Sequence, residues 1–168
     1  KGKAGKLYEF GRAFQLGRLA GNFVIVSACT GIRMDDKKSF SAMLNEHEHL
    51  FGANCIQSIA TDKGYYSLGN VKAAQRAGIT KIGIQEPDHL KNTQNSLTKD
   101  EKEELNNRRA GIEPIIGHIK RGGQLGRSRM KKDETIKASG YAAVMAFNMR
   151  QLIKRKMKKI YEEEPMAA

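Results

Sequence analysis

The order of secondary structure predicted between residues 55 and 84 constrains the fold of this chain more than any other feature. A short strand is predicted at residues 55–61, a small helix at about residues 70–77, and a second strand where Ile82 and Ile84 alternate with other residues. A strand, a helix and a strand of these lengths imply a right-handed crossover between parallel strands. The chain is therefore predicted to be an α/β protein in which Asp62 follows the end of a strand.

An antiparallel pair of strands is predicted upstream of this crossover. Apolar side chains alternate from Tyr8 to Leu16, which is typical of a strand with one buried face. Gly21 and Asn22 supply a turn, and residues 23–26 form a continuous β-favouring run typical of a strand covered on both faces.

Four further helices are predicted, and the one that carries Glu113 is described below. Asp35 or Asp36 caps the first helix, which ends at Gly52, and Thr98 opens a charged helix with Glu101 completing a capping box. An Ala- and Met-rich helix is predicted at residues 138–153, with its apolar side chains packed in the core. The first helix carries apolar positions at helical spacing, which are Phe40, Met43, Leu44, His47, Leu50 and Phe51.

The composition indicates one domain with an anionic partner. The 168 residues include 30 Lys and Arg against 18 Asp and Glu, which gives a net charge of +12. A domain this basic is most often attracted to nucleic acid. An anionic membrane surface is the competing partner, but the chain has no signal peptide and no apolar run long enough to span a membrane, so no membrane association and a cytosolic location are expected. Cys29 and Cys55 are too few for a disulfide framework or a zinc site and are expected to be reduced.

A basic, glycine-containing segment is the best candidate for contacting phosphates. Residues 120–132 contain six basic residues, three glycines and no acidic residue, which predicts a flexible basic loop. Such a loop would bind nucleic acid with steep salt dependence and little sequence preference. The alternative is a basic face that is merely solvated. The candidate contacts are Arg127, Arg129, Lys131 and Lys132.

Two carboxylates are candidates for metal binding. Asp62 lies at a strand end, and Glu113 lies on a helix between Arg109 and Lys120. Carboxylate oxygens are the ligands that Mg²⁺ prefers, and paired Mg²⁺ ions stabilise the attacking and leaving oxygens in phosphodiester chemistry. The alternative is that Asp62 only starts a turn and Glu113 forms a surface ion pair with Arg109. Pro114 predicts either a kink near Glu113 or a second helix with Pro114 at its first position.

Two histidines on the first helix are weaker candidates for a metal site. His47 and His49 are two residues apart, and side chains at that spacing on a helix point to different faces. His47 is therefore predicted at the edge of the core and His49 in solvent.

These motifs together resemble the bacterial insertion-sequence transposases of the DDE class. The signature of that group is Tyr, two residues, Arg, three residues, Glu, six residues and Lys. Arg109, Glu113 and Lys120 match its spacing, whereas Asn106 occupies the Tyr position. The resemblance covers roughly residues 3–152 and includes the segments Tyr8-Glu9-Phe10-Gly11, Asp62-Lys63-Gly64-Tyr65-Tyr66-Ser67, Gly126-Arg127-Ser128-Arg129-Met130-Lys131 and Gly140-Tyr141-Ala142-Ala143.

The resemblance implies a ribonuclease-H-like fold, a mixed sheet of about five strands with flanking helices, in which three acidic residues bind two Mg²⁺ ions. Asp62 looks like the second Asp and Glu113 like the Glu, and by similarity Arg109 and Lys120 would orient Glu113 or contact the DNA backbone. Lys63 joins the basic loop as a candidate DNA contact. The first Asp of such enzymes lies on a first strand, which here would precede Lys1.

The chain is accordingly expected to be an N-terminally truncated catalytic domain at residues 1–153, followed by a basic and then acidic tail at residues 154–168. The function that the resemblance implies is DNA transposition by Mg²⁺-dependent cleavage and strand transfer, incomplete in this chain. A homo-oligomer on transposon ends and a cytoplasmic, nucleoid-associated location are implied as well. The alternatives are a non-enzymatic nucleic-acid-binding protein or transposase remnant, and a stand-alone Mg²⁺-dependent nuclease of the same fold.

Overall fold

The computed structural model describes residues 12–29, 35–86, 97–123, 125–126 and 129–163. The described residues form four strands and five helices, joined in places by short 3₁₀ turns. The strands are β1 (Phe14–Arg18), β2 (Val24–Ala28), β3 (Ser58–Thr61) and β4 (Lys81–Ile84). The helices are α1 (Asp36–Phe51), α2 (Leu68–Arg76), α3 (Lys99–Ala110), α4 (Ile112–Gly122) and α5 (Asp133–Glu163). No helix in these ranges is long and apolar enough to cross a membrane.

Strands β1 and β2 pair antiparallel, with Phe14 opposite Ala28 and Arg18 opposite Val24. The turn between them places Gly21 at φ 70° and Asn22 at φ 64°, and both residue types tolerate this left-handed region. The predicted antiparallel pair and its turn are therefore confirmed. The earlier part of the predicted first strand, at residues 8–11, lies outside the described residues.

Strand β2 is buried on both faces, as its continuous apolar run predicted. Val24 and Val26 pack in a cluster with side chains of α4 and α5. Ile25 points to the opposite face, where its side chain and that of Met43 of α1 both lie close to Gly17. The sheet formed by β1 and β2 is thus covered by α1 on one side and by α4 and α5 on the other.

Strands β3 and β4 pair parallel and are connected by α2, which confirms the predicted parallel crossover. One face of this second sheet packs in a cluster that includes Phe40 of α1, Ala74 of α2 and Ile84 of β4. On the other face Leu105 of α3 lies so close to Gly83 that a Cβ atom there would be 2.9 Å from Leu105 Cδ1. Helix α1 therefore covers one face of each sheet, and α3, α4 and α5 cover the opposite faces.

The strands do not join into one mixed sheet of about five strands within the described residues. They form two separate sheets of two strands each. The α/β class with flanking helices is confirmed, whereas the single ribonuclease-H-like sheet is not seen. No backbone ladder connects β1 or β2 to β3 or β4 in the described part of the chain.

The break between α3 and α4 differs from the expectation based on Pro114. The capping box of Thr98 and Glu101 begins α3 as predicted, but α4 begins at Ile112, two residues before the proline. Pro114 therefore lies in the first turn of α4, where its missing N–H leaves no helical hydrogen bond unmade. The break falls at Gly111 and not at Glu113.

Helix α5 extends beyond both ends of the predicted helix at residues 138–153 and runs through the basic segment that follows. Its core side chains are Ala143, Val144 and Phe147. The prediction that its methionines pack in the core is wrong, because Met145 is 65% and Met149 51% exposed. The division into a domain at 1–153 and a tail stays a prediction, and the helix is continuous across it.

The apolar stripe predicted for α1 is buried only toward its N-terminal end. Asp35 caps this helix through a hydrogen bond from the Lys37 N–H, and Gly52 ends it, both as predicted. Phe40 is almost fully buried, whereas Leu50 and Phe51 at the other end are about half exposed.

Asn148 links α5 to the edge of β2. Its side-chain Nδ2 donates to the Val24 carbonyl at 2.8 Å, and its Oδ1 accepts from the Val24 N–H at 2.9 Å. The amide thus makes the two hydrogen bonds that a neighbouring strand would make, at a residue that is 2% exposed. This explains a polar residue within an otherwise apolar helix face.

We expect Asn148→Ala to lower the free energy of unfolding by about 2 kcal/mol, because it leaves a buried N–H and a buried carbonyl unpaired. The measurement is urea denaturation followed by circular dichroism. Asn45→Ala is the matched control, since Asn45 is exposed on α1 and its replacement should change stability by less than about 0.5 kcal/mol. Equal stabilities of the two variants would contradict the proposed role of Asn148.

Candidate active site

Asp62 directly follows β3 and precedes a 3₁₀ turn at Lys63–Tyr65. Its backbone carbonyl accepts from the Tyr65 N–H at 3.1 Å, so its main chain does start a turn. Its side chain makes no capping hydrogen bond and is 63% exposed. The Asp62 carboxylate therefore lies at the end of β3 and makes no hydrogen bond within the turn that follows.

Arg109, near the end of α3, contacts this carboxylate. Its Nη1 donates to Asp62 Oδ1 at 2.5 Å. The contact uses only the Nη1 nitrogen of the guanidinium. The buried Nε of Arg109 has no hydrogen-bond partner among the described residues. Arg109 thus neutralises and orients Asp62 and retains an unused donor beside it.

Glu113 lies in the first turn of α4, four residues after Arg109. Because Gly111 between them has helical angles, the backbones of the two residues are about 6 Å apart along the helix axis. Glu113 is exposed and forms no ion pair or side-chain hydrogen bond with another described residue. The surface ion pair with Arg109, which was the alternative use of Glu113, is therefore not formed, because Arg109 contacts Asp62.

Lys120 lies seven residues after Glu113 on the same helix, a spacing of almost two full turns that puts both side chains on one side of α4. Lys120 is exposed, and its carbonyl accepts from the Gly126 N–H at 3.4 Å. This bond folds the start of the basic loop back against the end of α4.

The remaining predicted DNA contacts are exposed where the structure describes them. Lys63 lies in the turn directly after Asp62. Arg129, Lys131 and Lys132 are exposed in the segment that precedes α5. Arg127 lies outside the described residues.

Asn106, which occupies the Tyr position of the transposase signature, has a structural contact of its own. Its Oδ1 accepts from Gln85 Nε2 at 2.7 Å, which links α3 to the segment after β4. Asn106, which replaces the Tyr of the signature, therefore forms a contact on α3 one turn before Arg109.

Two residues near the site were not singled out from the sequence. Tyr65 ends the turn that begins at Asp62, and burial raises the pKa of its hydroxyl, with a further rise from the charge of Asp36. The hydroxyl lies beside the side chains of Gln15 on β1 and Ser39 on α1. Gln15 is 8% exposed, and its Oε1 has no hydrogen-bond partner among the described residues. A polar residue inside a strand was the only signal that could have identified it.

Arg108, next to Arg109, was also missed. Its Nη1 donates to Ser58 Oγ at the start of β3 at 3.1 Å, and its carbonyl accepts from Arg18 Nη1 at the end of β1 at 3.2 Å. The pair of adjacent arginines thus connects α3 to both sheets.

A metal site cannot be completed from the described residues. Asp62 and Glu113 supply the oxygen donors that suit Mg²⁺, but no group of three His, Cys, Asp or Glu side chains in the described ranges could hold a metal ion. The three-carboxylate site implied by the resemblance therefore lacks one ligand among the described residues.

The two histidines of α1 lie as predicted. His49 is exposed, whereas His47 is partly buried and its ring packs against Phe51 with the ring centroids 4.7 Å apart. Burial lowers the pKa of His47 below its ordinary value of 6.5.

This shift predicts a pH dependence of stability. Because the folded-state pKa of His47 is below that of the unfolded chain, the unfolded chain binds the proton more readily. The His47 contribution to stability should therefore be complete above about pH 6.5 and be lost as the pH falls through the folded-state pKa. Urea denaturation at a series of pH values should give a smaller slope in this interval for His47→Gln than for the unchanged protein. Identical slopes would contradict the assignment.

The comparisons with known proteins concern most of the chain. A family model described as "Transposase DDE domain" matches residues 2–149, a range that includes Asp62, Arg109, Glu113 and Lys120. No curated protein and no solved structure matches the chain significantly.

Proposed function

Because the chain belongs to the transposase DDE domain family, we propose that it is the part of a DNA transposase in which Asp62 and Glu113 are two of the catalytic carboxylates. The observation that carries this proposal is the contact between Arg109 and Asp62, which ties Asp62 to the helix pair that carries Glu113. The reaction proposed is cleavage and strand transfer at a DNA phosphodiester.

The side chains around the two carboxylates suit this chemistry. Mg²⁺ bound by carboxylate oxygens would stabilise the attacking and leaving oxygens of the phosphodiester. Arg109 is proposed as a positioning residue, since it fixes the orientation of Asp62 and reduces the negative charge that Asp62 presents to a DNA phosphate. Lys63 and Lys120 flank the carboxylates in sequence and are proposed to contact the DNA backbone.

The two sheets support the further proposal of a ribonuclease-H-like fold that a fifth strand completes. Arg108 contacts both the end of β1, through Arg18, and the start of β3, through Ser58. Near their other ends, Gln15 of β1 lies beside Tyr65, shortly after β3. Strands β1 and β3 therefore run in opposite directions on either side of a gap, and no ladder joins them.

Two unpaired buried atoms lie near the ends of β1 and β3 that are closest to Asp62. Gln15 Oε1 is an acceptor on the β1 side, and Arg109 Nε is a donor on the β3 side. Buried polar atoms are nearly always paired, so each indicates a missing partner. We propose that a strand between β1 and β3, which the described residues do not include, supplies these partners together with the third carboxylate.

We expect Asp62→Asn and Glu113→Gln to reduce Mg²⁺-dependent cleavage of DNA by about 10²-fold or more in a longer form of the protein that carries the additional strand. DNA binding should remain nearly unchanged, because neither replacement alters the basic loop. Asp100→Asn on the exposed start of α3 is the matched control. Full cleavage by either site variant would contradict the active-site assignment.

The same assay applied to the 168-residue chain tests the fifth strand. This chain should bind DNA without cutting it. Nicking that requires Mg²⁺ and disappears in Asp62→Asn would mean that the chain already holds a complete site, and would overturn the proposal of a missing strand.

DNA binding is proposed to depend on the segment before α5. Arg129, Lys131 and Lys132 are exposed there, and the hydrogen bond from Gly126 to the Lys120 carbonyl brings the loop beside α4, which carries Glu113. Their charges would contact phosphates and not base edges, so binding would have little sequence preference.

We expect Lys131→Ala combined with Lys132→Ala to weaken binding to duplex DNA about equally for unrelated sequences and to reduce the slope of log affinity against log salt by about 2. Fluorescence anisotropy at several salt concentrations measures both quantities. Lys99→Ala combined with Lys102→Ala removes the same charge from exposed positions of α3 and should have a smaller effect. An equal effect of the two pairs would mean that only net charge matters.

A further inference from the structure

Arg12, which lies just before β1, connects the β1–β2 sheet to the start of α5. Its side chain is only 12% exposed, and its Nη1 donates to the Cys29 carbonyl, just after β2, at 2.7 Å. Its Nε donates to Asp133 Oδ1 at 2.6 Å, and its Nη2 donates to the same oxygen. Asp133 is the first residue of α5. The guanidinium therefore ties the start of α5 to the end of the sheet at which Phe14 pairs with Ala28.

The last residues of the basic loop are attached to the same turn of α5. The Lys132 carbonyl accepts from Thr135 Oγ1 at 2.8 Å and from the Ile136 N–H at 3.0 Å. Lys131 and Lys132 are exposed directly before this turn. Their backbone thus continues into a helix start whose position is fixed by Arg12.

Asp133 is engaged by cations on both of its carboxylate oxygens. Lys137 Nζ lies 3.3 Å from Oδ2, whereas Arg12 occupies Oδ1. The hydrogen bond from Arg12 lowers the pKa of the Asp133 carboxyl, and Lys137 lowers it further. Hydrogen bonds between ionised partners are about twice as strong as those between neutral groups. Glu134, the next residue, is exposed and forms no ion pair within the described ranges. Asp133 is therefore the acidic residue of this turn that holds α5 to the sheet.

The contact lies at the end of the molecule that carries the candidate site. Gln15 on β1 lies beside the Tyr65 hydroxyl, and Tyr65 ends the turn that begins at Asp62. The start of β1 and the end of β3 are therefore at the same end of the molecule. Arg12 precedes that start, so the segment it anchors is at this end as well.

We propose that Arg12 is a positioning residue for DNA binding, which anchors α5 so that Lys131 and Lys132 are held ready for a phosphate backbone. The inference rests on the proposed function, because that function supplies the DNA. All three nitrogens of the Arg12 guanidinium donate within the protein, so Arg12 acts through the lysines. Side chains that are fixed in advance avoid the entropy cost of being ordered by the partner, and therefore bind it more tightly than the same charges on a loose segment.

Replacing Asp133 by Ala separates positioning from charge. Asp133→Ala raises the net charge by one unit, so charge alone would tighten DNA binding. If Arg12 positions the lysines, the affinity for duplex DNA should instead fall by about threefold or more. Glu134→Ala is the matched control, because it makes the same change of charge in the same helix turn and leaves the Arg12 contact intact. Fluorescence anisotropy with the 168-residue chain measures both affinities.

Hydrogen exchange without DNA tests the anchor itself. The amides of residues 129–136, followed by mass spectrometry, should exchange about threefold faster or more in Asp133→Ala than in Glu134→Ala. Adding Arg12→Gln to Asp133→Ala should cause no further increase in this segment, because the two residues act through one contact. Circular dichroism checks that the variants are folded, and Asp133→Ala alone decides the result if the Arg12 variant does not fold.

The two measurements distinguish failure of this inference from failure of the proposed function. Unchanged exchange in Asp133→Ala, or a DNA affinity equal to that of Glu134→Ala, would overturn the positioning role and leave the proposed function in place. Absence of DNA binding by the unchanged chain would overturn both.

Discussion

The burial of β2 on both faces is the constraint on which the β1–β2 half of the molecule depends. Val24 and Val26 require α4 and α5 on one side, and Ile25 requires α1 on the other. Each of these side chains contributes about 1.5–3 kcal/mol when it is removed from water. At the edge of the strand, Asn148 supplies the hydrogen bonds of the Val24 N–H and carbonyl. One short apolar run thus determines where three helices lie.

The candidate site lies where the second half of the molecule meets the first. Helix α3 packs on β3 and β4 through Leu105, and its two arginines reach outward from that anchored position. Arg109 contacts Asp62 at the end of β3, and Arg108 connects β3 to β1. The two arginines therefore contact both ends of β3, and Arg108 also links it to β1, although the two sheets share no backbone hydrogen bonds within the described residues.

The parts of the structure that follow from local chemistry were predictable from the sequence. The cap at Asp35 and the capping box at Thr98 depend on neighbouring residues only, and the crossover from β3 to β4 follows from the order and length of its three elements. Contacts between distant residues were not predictable, because no local pattern specifies them. Asn148 and Val24, which are joined by hydrogen bonds, are 124 positions apart in the sequence. Arg109 and Asp62 are 47 positions apart. The exposure of the α5 methionines was not predictable for the same reason. An apolar stripe in the sequence does not show whether another element of the fold packs on it.

The break at Gly111 has a mechanical consequence. Arg109 and its partner Asp62 belong to the rigid unit that α3 forms with β3 and β4, whereas Glu113 is carried by α4, which packs on β1 and α5. The distance between the two carboxylates is therefore not fixed by any single element. It is set by how α3 and α4 each pack on their own half of the molecule, and Gly111 marks the boundary between the two helices.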